Sequence, residues 1–250
     1  MTADMLTVKD LRVSVEDSEI LHGVDISIGP GETHVLMGPN GAGKSTLGNA
    51  LMGNPQYTVT GGEVKFHGED LLEKSVNERA ASGLFMSFQN PIEIPGISLE
   101  NFMRSAIEQR SGTKLRLWDF RKQVRATLDT LQMEHSYAER DLNVGFSGGE
   151  KKKAEILQLL LLKPSLAILD ETDSGLDVDA VKTVSRGIKE FQKDQEASLL
   201  VITHNAAILD ALHVDKVHVL VNGRIVKEGG AELIKEIEEN GFSAFEGAIA

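Results

Sequence analysis

The chain has 250 residues, 41% of them apolar and 26% charged, which is the composition of a globular protein with a buried core. It contains no cysteine, which excludes disulfide bonds, thiolate metal sites and a cysteine nucleophile. Its formal net charge of −12 disfavours a general nucleic-acid-binding protein, which needs basic surface to contact phosphates, so we expect no nucleic-acid partner.

The sequence predicts neither export nor membrane insertion. The first ten residues lack a basic region followed by an apolar segment, so we expect no signal peptide. The longest apolar run, at 156–162, contains Gln158 and is much shorter than the roughly 18 residues that span a bilayer. We therefore expect a cytoplasmic chain without direct membrane insertion.

The first 90 residues mix strand and helix patterns. Turn signals stand at His22-Gly23 and at Gly29-Pro30-Gly31. Strands are expected at 6–15, 24–28, 33–38, 61–70 and 83–89, and helices at 45–53 and near 73–82.

Between Ser98 and Leu142 the pattern becomes helical, and Ser98 is a candidate helix cap. Apolar residues then recur at helical spacing: Phe120, Val124, Leu128 and Leu131. Beyond this candidate helical subdomain, helices are expected at 149–162, 178–192 and 231–240, and strands at 165–170, 198–204 and 217–229. Three lysines at 151–153 are predicted to form a solvated helix face. Strand–helix alternation predicts an α/β fold with a mostly parallel sheet.

Residues 38–45, GPNGAGKS, match the phosphate-binding loop pattern G-x-x-x-x-G-K-[ST]. The loop stands between a predicted strand and a predicted helix, where backbone N–H groups and the helix dipole can bind phosphate oxygens. Lys44 can reach the β- and γ-phosphates, and Ser45 can ligate Mg²⁺. We therefore expect a nucleoside triphosphate with Mg²⁺.

Two acids end the predicted strand at 165–170. Asp170 can hold Mg²⁺, largely through water, and Glu171 can polarise or deprotonate an attacking water. A strand that ends in a helix-capping aspartate is the alternative interpretation. In a chain that also carries a phosphate loop, the two acids indicate nucleotide chemistry.

The stretch FSGGE at 146–150 predicts a second anion site. Ser147 can cap a helix, and Gly148 and Gly149 leave the first N–H groups of that helix free. One active site has no use for two γ-phosphate cradles about a hundred residues apart. The second cradle is therefore expected to serve the nucleotide of another copy of the chain.

In this order the motifs resemble those of the ATP-binding-cassette (ABC) ATPases. The resemblance implies a P-loop NTPase core with a mostly parallel sheet, an N-terminal antiparallel β-subdomain and an inserted helical subdomain. It places the core with the β-subdomain at 1–90 and 143–250 and the helical subdomain at 91–142, all in one ABC ATPase domain. In this family two subunits close head to tail around two ATP molecules.

The resemblance also implies a role for each motif. Catalysis is assigned to Glu171, the switch histidine His204, the Q-loop glutamine Gln89 and Lys44. Magnesium is assigned to Ser45, Gln89 and Asp170. Nucleotide binding is assigned to the phosphate loop (Gly38, Pro39, Asn40, Gly41, Ala42, Gly43, Lys44, Ser45 and Thr46), the signature (Ser147, Gly148 and Gly149) and the D-loop aspartate Asp177.

Departures from the common family pattern resemble one subgroup, the SufC ATPases of the Suf iron–sulfur cluster assembly system. The signature begins with Phe146 and ends with Glu150 where the family commonly reads LSGGQ, and Thr172 follows Glu171 where proline is common. No aromatic residue stands at 11–19 to stack on adenine, and Val13 or Val15 takes its place. The similarity runs from about residue 6 to 241 and is weakest at 105–140.

The stretch MSFQNPIEIPG at 86–96 then has an explanation. Gln89 would reach Mg²⁺ and the attacking water, and 90–97 would present three isoleucines to a partner on a backbone stiffened by two prolines. The SufC resemblance implies that the partners are soluble SufB and SufD scaffold proteins and that ATP drives their conformational change during cluster assembly. The alternatives are the ATPase subunit of a membrane transporter and a nucleotide-binding regulatory module. The outward isoleucines are expected to be Ile92, Ile94 and Ile97.

Overall fold

The computed structural model describes residues 4–193, 196–204 and 206–246. The strands are β1 (Leu6–Val15), β2 (Ser18–Ile28), β3 (Thr33–Met37), β4 (Tyr57–Phe66), β5 (Glu69–Asp70), β6 (Leu84–Met86), β7 (Ile94–Ser98), β8 (Asp141–Leu142), β9 (Leu166–Asp170), β10 (Ser198–Ile202), β11 (Lys216–Val221) and β12 (Arg224–Gly229). The helices are α1 (Lys44–Met52), α2 (Val76–Ala81), α3 (Leu99–Ser111), α4 (Leu117–Thr130), α5 (Gly148–Leu162), α6 (Val178–Phe191), α7 (Glu232–Asn240) and α8 (Ser243–Glu246).

A six-stranded sheet of order β12-β11-β3-β10-β9-β6 forms the centre of the fold. Its neighbouring strands run parallel except β11 and β12, which form a hairpin. Because successive side chains of a strand point to opposite faces, Val35 and Ala167 pack with the helices on one face. Leu36 and Ile168 pack with α1 and the N-terminal strands on the other face. The predicted α/β fold is confirmed.

The N-terminal strands form an antiparallel sheet of order β2-β1-β4-β5, as expected. The predicted turn at His22-Gly23 is wrong, because both residues lie inside β2. In the pairing of β1 with β2, Leu11 faces Val24 and Arg12 faces His22, which leaves Gly23 unpaired. Gly23 has φ +93°, so the chain makes a bulge there and continues as a strand.

The helices α3 and α4 pack against α5. The four apolar residues that were predicted from helical spacing are buried in one cluster with Ile156 and Leu157 of α5. Ser98 caps α3 as predicted, since its side chain accepts the N–H of Asn101. β7 and β8 pair at the two ends of the segment that holds these helices. The division into a core and a helical subdomain stays a prediction.

The segment 83–98 differs from its prediction. The strand β6 ends at Met86, three residues earlier than expected, and part of the predicted loop forms β7. Ile94 and Ile97 are half-buried, and Ile94 packs against the helical core, so the prediction that both point outward is wrong. Ile92 does point outward, with 68% of its surface exposed, and Phe88 has 65% exposed.

The lysines at 151–153 do not form a uniformly solvated face. Lys152 is only 5% exposed, while Lys151 and Lys153 are half-buried. Lys152 lies four residues before Ile156 on α5, and this spacing places both on the buried side of the helix.

Within the described ranges, every helix is too short or too polar to cross a bilayer.

Two histidines are buried side by side in the central sheet. His34 Nδ1 lies 2.9 Å from His218 Nε2. The outer nitrogens face carboxylates, with His34 Nε2 3.0 Å from Glu32 Oε2 and His218 Nδ1 2.6 Å from Glu228 Oε1. Burial lowers the pKa of His34, and burial with the neighbouring His34 lowers the pKa of His218 to about 4. Both rings are therefore neutral in the folded chain at neutral pH.

We expect acid to destabilise the fold through this pair. The unfolded chain protonates each ring near pH 6.5, whereas folded His218 does so near pH 4, so stability is full above about pH 6.5 and is lost as the pH falls towards 4. For His218 the free energy of unfolding should fall by about 1–2 kcal/mol between about pH 7.5 and 5, measured by urea denaturation. His218→Leu should flatten this dependence, while the exposed-site control His67→Asn should not. An unchanged slope in His218→Leu would contradict the assignment.

Candidate nucleotide-binding site

The phosphate loop connects the end of β3 to the start of α1. A side chain at Gly38 would lie 2.1 Å from the carbonyl oxygen of Leu220, so only glycine fits there. Gly43 precedes α1 with φ +102°, a conformation that favours glycine. The buried Lys44 Nζ donates to the carbonyl oxygens of Gly38 at 2.8 Å and Pro39 at 3.0 Å. Burial lowers the pKa of Lys44, and the two acids that follow β9 oppose this shift.

Asp170 joins the phosphate loop to the central sheet. Its Oδ1 accepts a hydrogen bond from Ser45 Oγ at 3.1 Å, and its N–H donates to Ser87 Oγ at 2.9 Å. Burial raises the pKa of Asp170, and the Ser45 bond opposes this shift. The hydroxyl and the carboxylate bring two hard oxygen ligands together at the start of α1, which is the donor set that Mg²⁺ prefers beside phosphates.

Three predicted catalytic side chains meet at Glu171. Gln89 Nε2 donates to Glu171 Oε2 at 2.8 Å, and His204 Nδ1 lies 3.3 Å from Glu171 Oε1. Glu171 has φ +46°, outside the strand conformation, where the chain leaves β9. Its N–H donates to the carbonyl oxygen of Ile202 at 2.9 Å, which fixes this turn to β10. The carboxylate thus lies between an amide and an imidazole, beside Asp170.

The signature lies at the start of α5. Ser147 Oγ accepts the N–H of Glu150, and Glu150 Oε2 accepts the N–H of Ser147 at 2.7 Å. Tyr137 donates to Glu150, and this bond, with the Ser147 bonds, lowers the pKa of Glu150. Ser147 and Gly148 are exposed, and nothing lies within 4 Å of where a Gly148 side chain would begin. The start of α5 is therefore exposed at Ser147 and Gly148 and has room for a ligand beside Gly148.

Asp177 has a local structural contact. It caps α6, and its exposed carboxylate accepts the N–H of Ala180 at 2.8 Å. The side-chain hydrogen bonds of Asp177 and of the signature described here stay within the starts of α6 and α5, with Tyr137 as a further partner of Glu150. The contacts described above thus bring together the phosphate loop, Asp170, Glu171, Gln89 and His204, whereas those of the signature and of Asp177 are local caps of α5 and α6.

Sequence reasoning missed several residues of the site. Ser87 is buried, and its hydroxyl oxygen accepts the N–H of Asp170 and lies 3.4 Å from Thr172 Oγ1. Lys152 and Glu155 are buried beside Phe88. Helical periodicity along α5 could have indicated the last two, because both fall among buried positions of the helix. Of the two valines expected near adenine, Val13 is fully buried and Val15 half-buried, so only Val15 offers surface.

Comparison with known proteins identifies the family. A family model described as "ABC transporter" matches residues 21–174. The chain belongs to the ABC ATPase family. It is therefore an ATP-hydrolysing enzyme, as its motifs predicted. It is 48% identical to "Vegetative protein 296" of Bacillus subtilis, over 97% of this chain and 93% of the relative.

Other comparisons agree. The chain is 48% identical to "Probable ATP-dependent transporter SufC" of Escherichia coli, over 95% of this chain and 97% of the relative, which confirms the predicted subgroup. A solved ATP-binding cassette of an ABC transporter superimposes with a TM-score of 0.78 at 25% identity, covering both chains fully. A dimeric cassette with ADP and phosphate, at 20% identity and a TM-score of 0.78, covers 90% of this chain and 98% of its own and shows the same fold.

Proposed function

We propose that this ATPase drives conformational change in a soluble SufB–SufD-type scaffold during iron–sulfur cluster assembly. The 48% identity to a protein named SufC, over almost the whole of both chains, supports this function. The absence of cysteine fits it too, because a chain without thiolates is poorly suited to hold the cluster itself. We also propose a cytoplasmic location, where ATP and such a scaffold would meet.

The observation that carries the ATP-hydrolysis part of this proposal is the placement of Glu171 between Gln89 and His204, beside Asp170 and the phosphate loop. Glu171 would accept a proton from the attacking water, and His204 would contact the γ-phosphate. Lys44 and the N–H groups of 38–46 would hold the phosphates. Mg²⁺, held by Ser45, Asp170 and Gln89, would neutralise phosphate charge.

The second anion site suggests a transient ATP-bound homodimer. Ser147, Gly148 and Gly149 would contact the γ-phosphate of the nucleotide bound to the other subunit, and Asp177 would lie at the same interface. Support comes from the exposed start of α5, since the N-terminal ends of helices offer backbone N–H groups to anions and Gly148 leaves room for a ligand. Each ATP would then lie between one phosphate loop and the partner's signature.

The partner surface is proposed at Phe88 and Ile92, where the chain enters the proposed helical subdomain at 91–142. These are two of the large apolar side chains that the described residues expose. They flank Gln89, so a partner bound there would act directly on the residue that contacts Glu171. A backbone held by hydrogen bonds loses less entropy on binding than a free loop. Because Gln89 lies next to this surface and contacts Glu171, docking of a partner there should raise the rate of ATP hydrolysis.

Replacing Phe88 and Ile92 together with aspartate should abolish the scaffold complex and its stimulation of hydrolysis, because charges cannot enter an apolar interface unpaired. MgATP binding by the isolated chain should persist. The measurement is affinity purification from detergent-free cytosol, with mass spectrometry of the retained proteins. Trp118→Asp is the matched control, since Trp118 is an exposed apolar residue on α4, away from Gln89 in the sequence. Equal loss in this control would argue against a specific surface.

The alternative is the ATPase subunit of a membrane transporter. It is favoured by the names of several relatives, among them "Probable ATP-dependent transporter ycf16" of Cyanophora paradoxa, 48% identical over 95% of this chain and 93% of the relative. The purification separates the two functions. A SufB- or SufD-type protein retained without detergent supports cluster assembly, whereas a multi-span membrane protein retained only in detergent supports transport.

A further inference from the structure

The start of α5 carries a buried ion pair that the catalytic scheme does not use. Lys152 and Glu155 are three residues apart on the same face of the helix, with Nζ 3.3 Å from Oε2. Their side chains are 6% and 4% exposed. Burial raises the pKa of Glu155, and Lys152 opposes that shift. A buried ion pair contributes little stability unless further hydrogen bonds offset its desolvation.

Those further hydrogen bonds go to the backbone of a single residue, Phe88. Glu155 Oε1 accepts the N–H of Phe88 at 2.6 Å, and Lys152 Nζ donates to the carbonyl oxygen of Phe88 at 2.6 Å. The two charges therefore hold Phe88 from both sides of its α-carbon. The phenyl ring is exposed and plays no part in this attachment.

Phe88 marks the point where the chain leaves the central sheet. β6 ends at Met86, and the N–H of Ser87 still bonds to β9 through Ile168 at 2.9 Å. The next residue after Phe88 is Gln89, whose amide donates to Glu171. The position of the Phe88 backbone thus determines where the Gln89 side chain begins, and with it whether the Gln89 amide reaches the Glu171 carboxylate.

The same part of the chain is attached to α5 and its preceding turn at two more points. Asn143 Nδ2 donates to the carbonyl oxygen of Ile92 at 2.8 Å, and Lys151 Nζ lies 2.9 Å from Glu93 Oε1. The segment 88–93 is therefore fastened to the beginning of α5. A shift of α5 would carry this segment with it, and Gln89 would move relative to Glu171, which is fixed to β10.

We propose that Lys152 and Glu155 are positioning residues for ATP hydrolysis. They hold the Phe88 backbone so that Gln89 reaches Glu171, and they transmit movement of the signature end of α5 to the active site of their own chain. When Ser147–Gly149 docks on the nucleotide of a second subunit, this connection adjusts the first subunit's Gln89. The inference rests on the proposed roles of Gln89 and Glu171.

The test is steady-state ATP hydrolysis by the full chain with MgATP. Lys152→Met should lower kcat about 10–100-fold with little change in KM, because a misplacement of about 1 Å is enough for such a loss. Lys152→Arg, which keeps the charge and donors, should recover part of it. Lys153→Met, the neighbouring control, should keep the wild-type kcat. In a Gln89→Ala background, Lys152→Met should cause no further loss, because it acts through Gln89.

Either of two results with Lys152→Met would overturn the proposal. One is an unchanged kcat in folded Lys152→Met. The other is an equal fold-loss from Lys152→Met with and without Gln89, which would indicate a general structural role. If Lys152→Met does not fold, the double variant Lys152→Met with Glu155→Leu replaces it, because removing both charges leaves no unpaired charge in the core. A wild-type kcat in the double variant would also overturn the proposal. Failure of the catalytic scheme is separate, since it would appear as normal turnover in Glu171→Gln.

Discussion

Replacing Glu171 with glutamine should reduce ATP turnover by about 10²–10⁴-fold, the usual contribution of a general base. Glutamine keeps the size of the side chain and one acceptor oxygen for the Gln89 amide, but it cannot take a proton from water. The phosphate loop and the Ser45–Asp170 contact are untouched, so MgATP binding should persist. ATP-bound dimers should therefore accumulate, because binding closes the dimer and hydrolysis no longer opens it.

Single-turnover hydrolysis measures the chemical step, and light scattering with and without MgATP measures the dimer. Asp179→Asn is the matched control, because the carboxylate of this exposed acid on α6 forms a surface ion pair with Lys182, which contributes little, and the change should alter neither quantity. Near-normal turnover by Glu171→Gln would remove this residue from the catalytic role. A folded variant that no longer binds MgATP would assign it to binding instead.

The parts of the site that the sequence predicted depend on local chemistry. The phosphate loop needs glycine where Gly38 meets the carbonyl of Leu220, and the acids follow an apolar strand directly. The meeting of Gln89, Glu171 and His204 was also predictable. Each follows a buried strand of the parallel sheet, and the carboxyl ends of such strands gather at one edge.

The features that were missed depend on contacts between distant parts of the chain. Ile94 is half-buried because β7 pairs with β8, more than forty residues away in the sequence. Gly23 forms a bulge because β1 pairs with its neighbours His22 and Val24 and leaves it unpaired, whereas the sequence alone shows a residue that favours turns. Lys152 lies in a run of three lysines whose composition indicates solvent. Its burial follows from the packing of α5 against Phe88, although its helical spacing from Ile156 is a signal that composition alone does not carry.

These long-range contacts would also allow the proposed anion site at the signature to influence the phosphate-loop site. The signature end of α5 and the segment before β7 are joined through Phe88, Ile92 and Glu93, so neither can shift alone. The catalytic carboxylate is fixed to a different element, β10. Relative movement of the two elements is thus the physical means by which docking at one site would change geometry at the other.

Two inactive variants should restore activity to each other when mixed. Lys44→Ala removes the cation that is proposed to bind the phosphates, and Gly148→Asp places a carboxylate at the start of α5, where a γ-phosphate is expected to bind. The new side chain at Gly148 meets open space, so the fold of the single chain should be preserved. Each variant alone should lose almost all activity, because in either homodimer both composite sites lack an essential group.

A mixed dimer of these variants has one site with both defects and one complete site. With equal mixing about half of the dimers are mixed, so activity should return to at most about a quarter of the wild-type rate. Gly148→Ala is the control for the added side chain, because its methyl group carries no charge and should therefore lower activity much less than the carboxylate of Gly148→Asp. The wild-type rate should also rise more steeply than the protein concentration while the dimer is forming. No recovery on mixing, together with a strictly linear rate down to concentrations at which the chain is monomeric, would show that Ser147–Gly149 does not act on the other subunit's nucleotide.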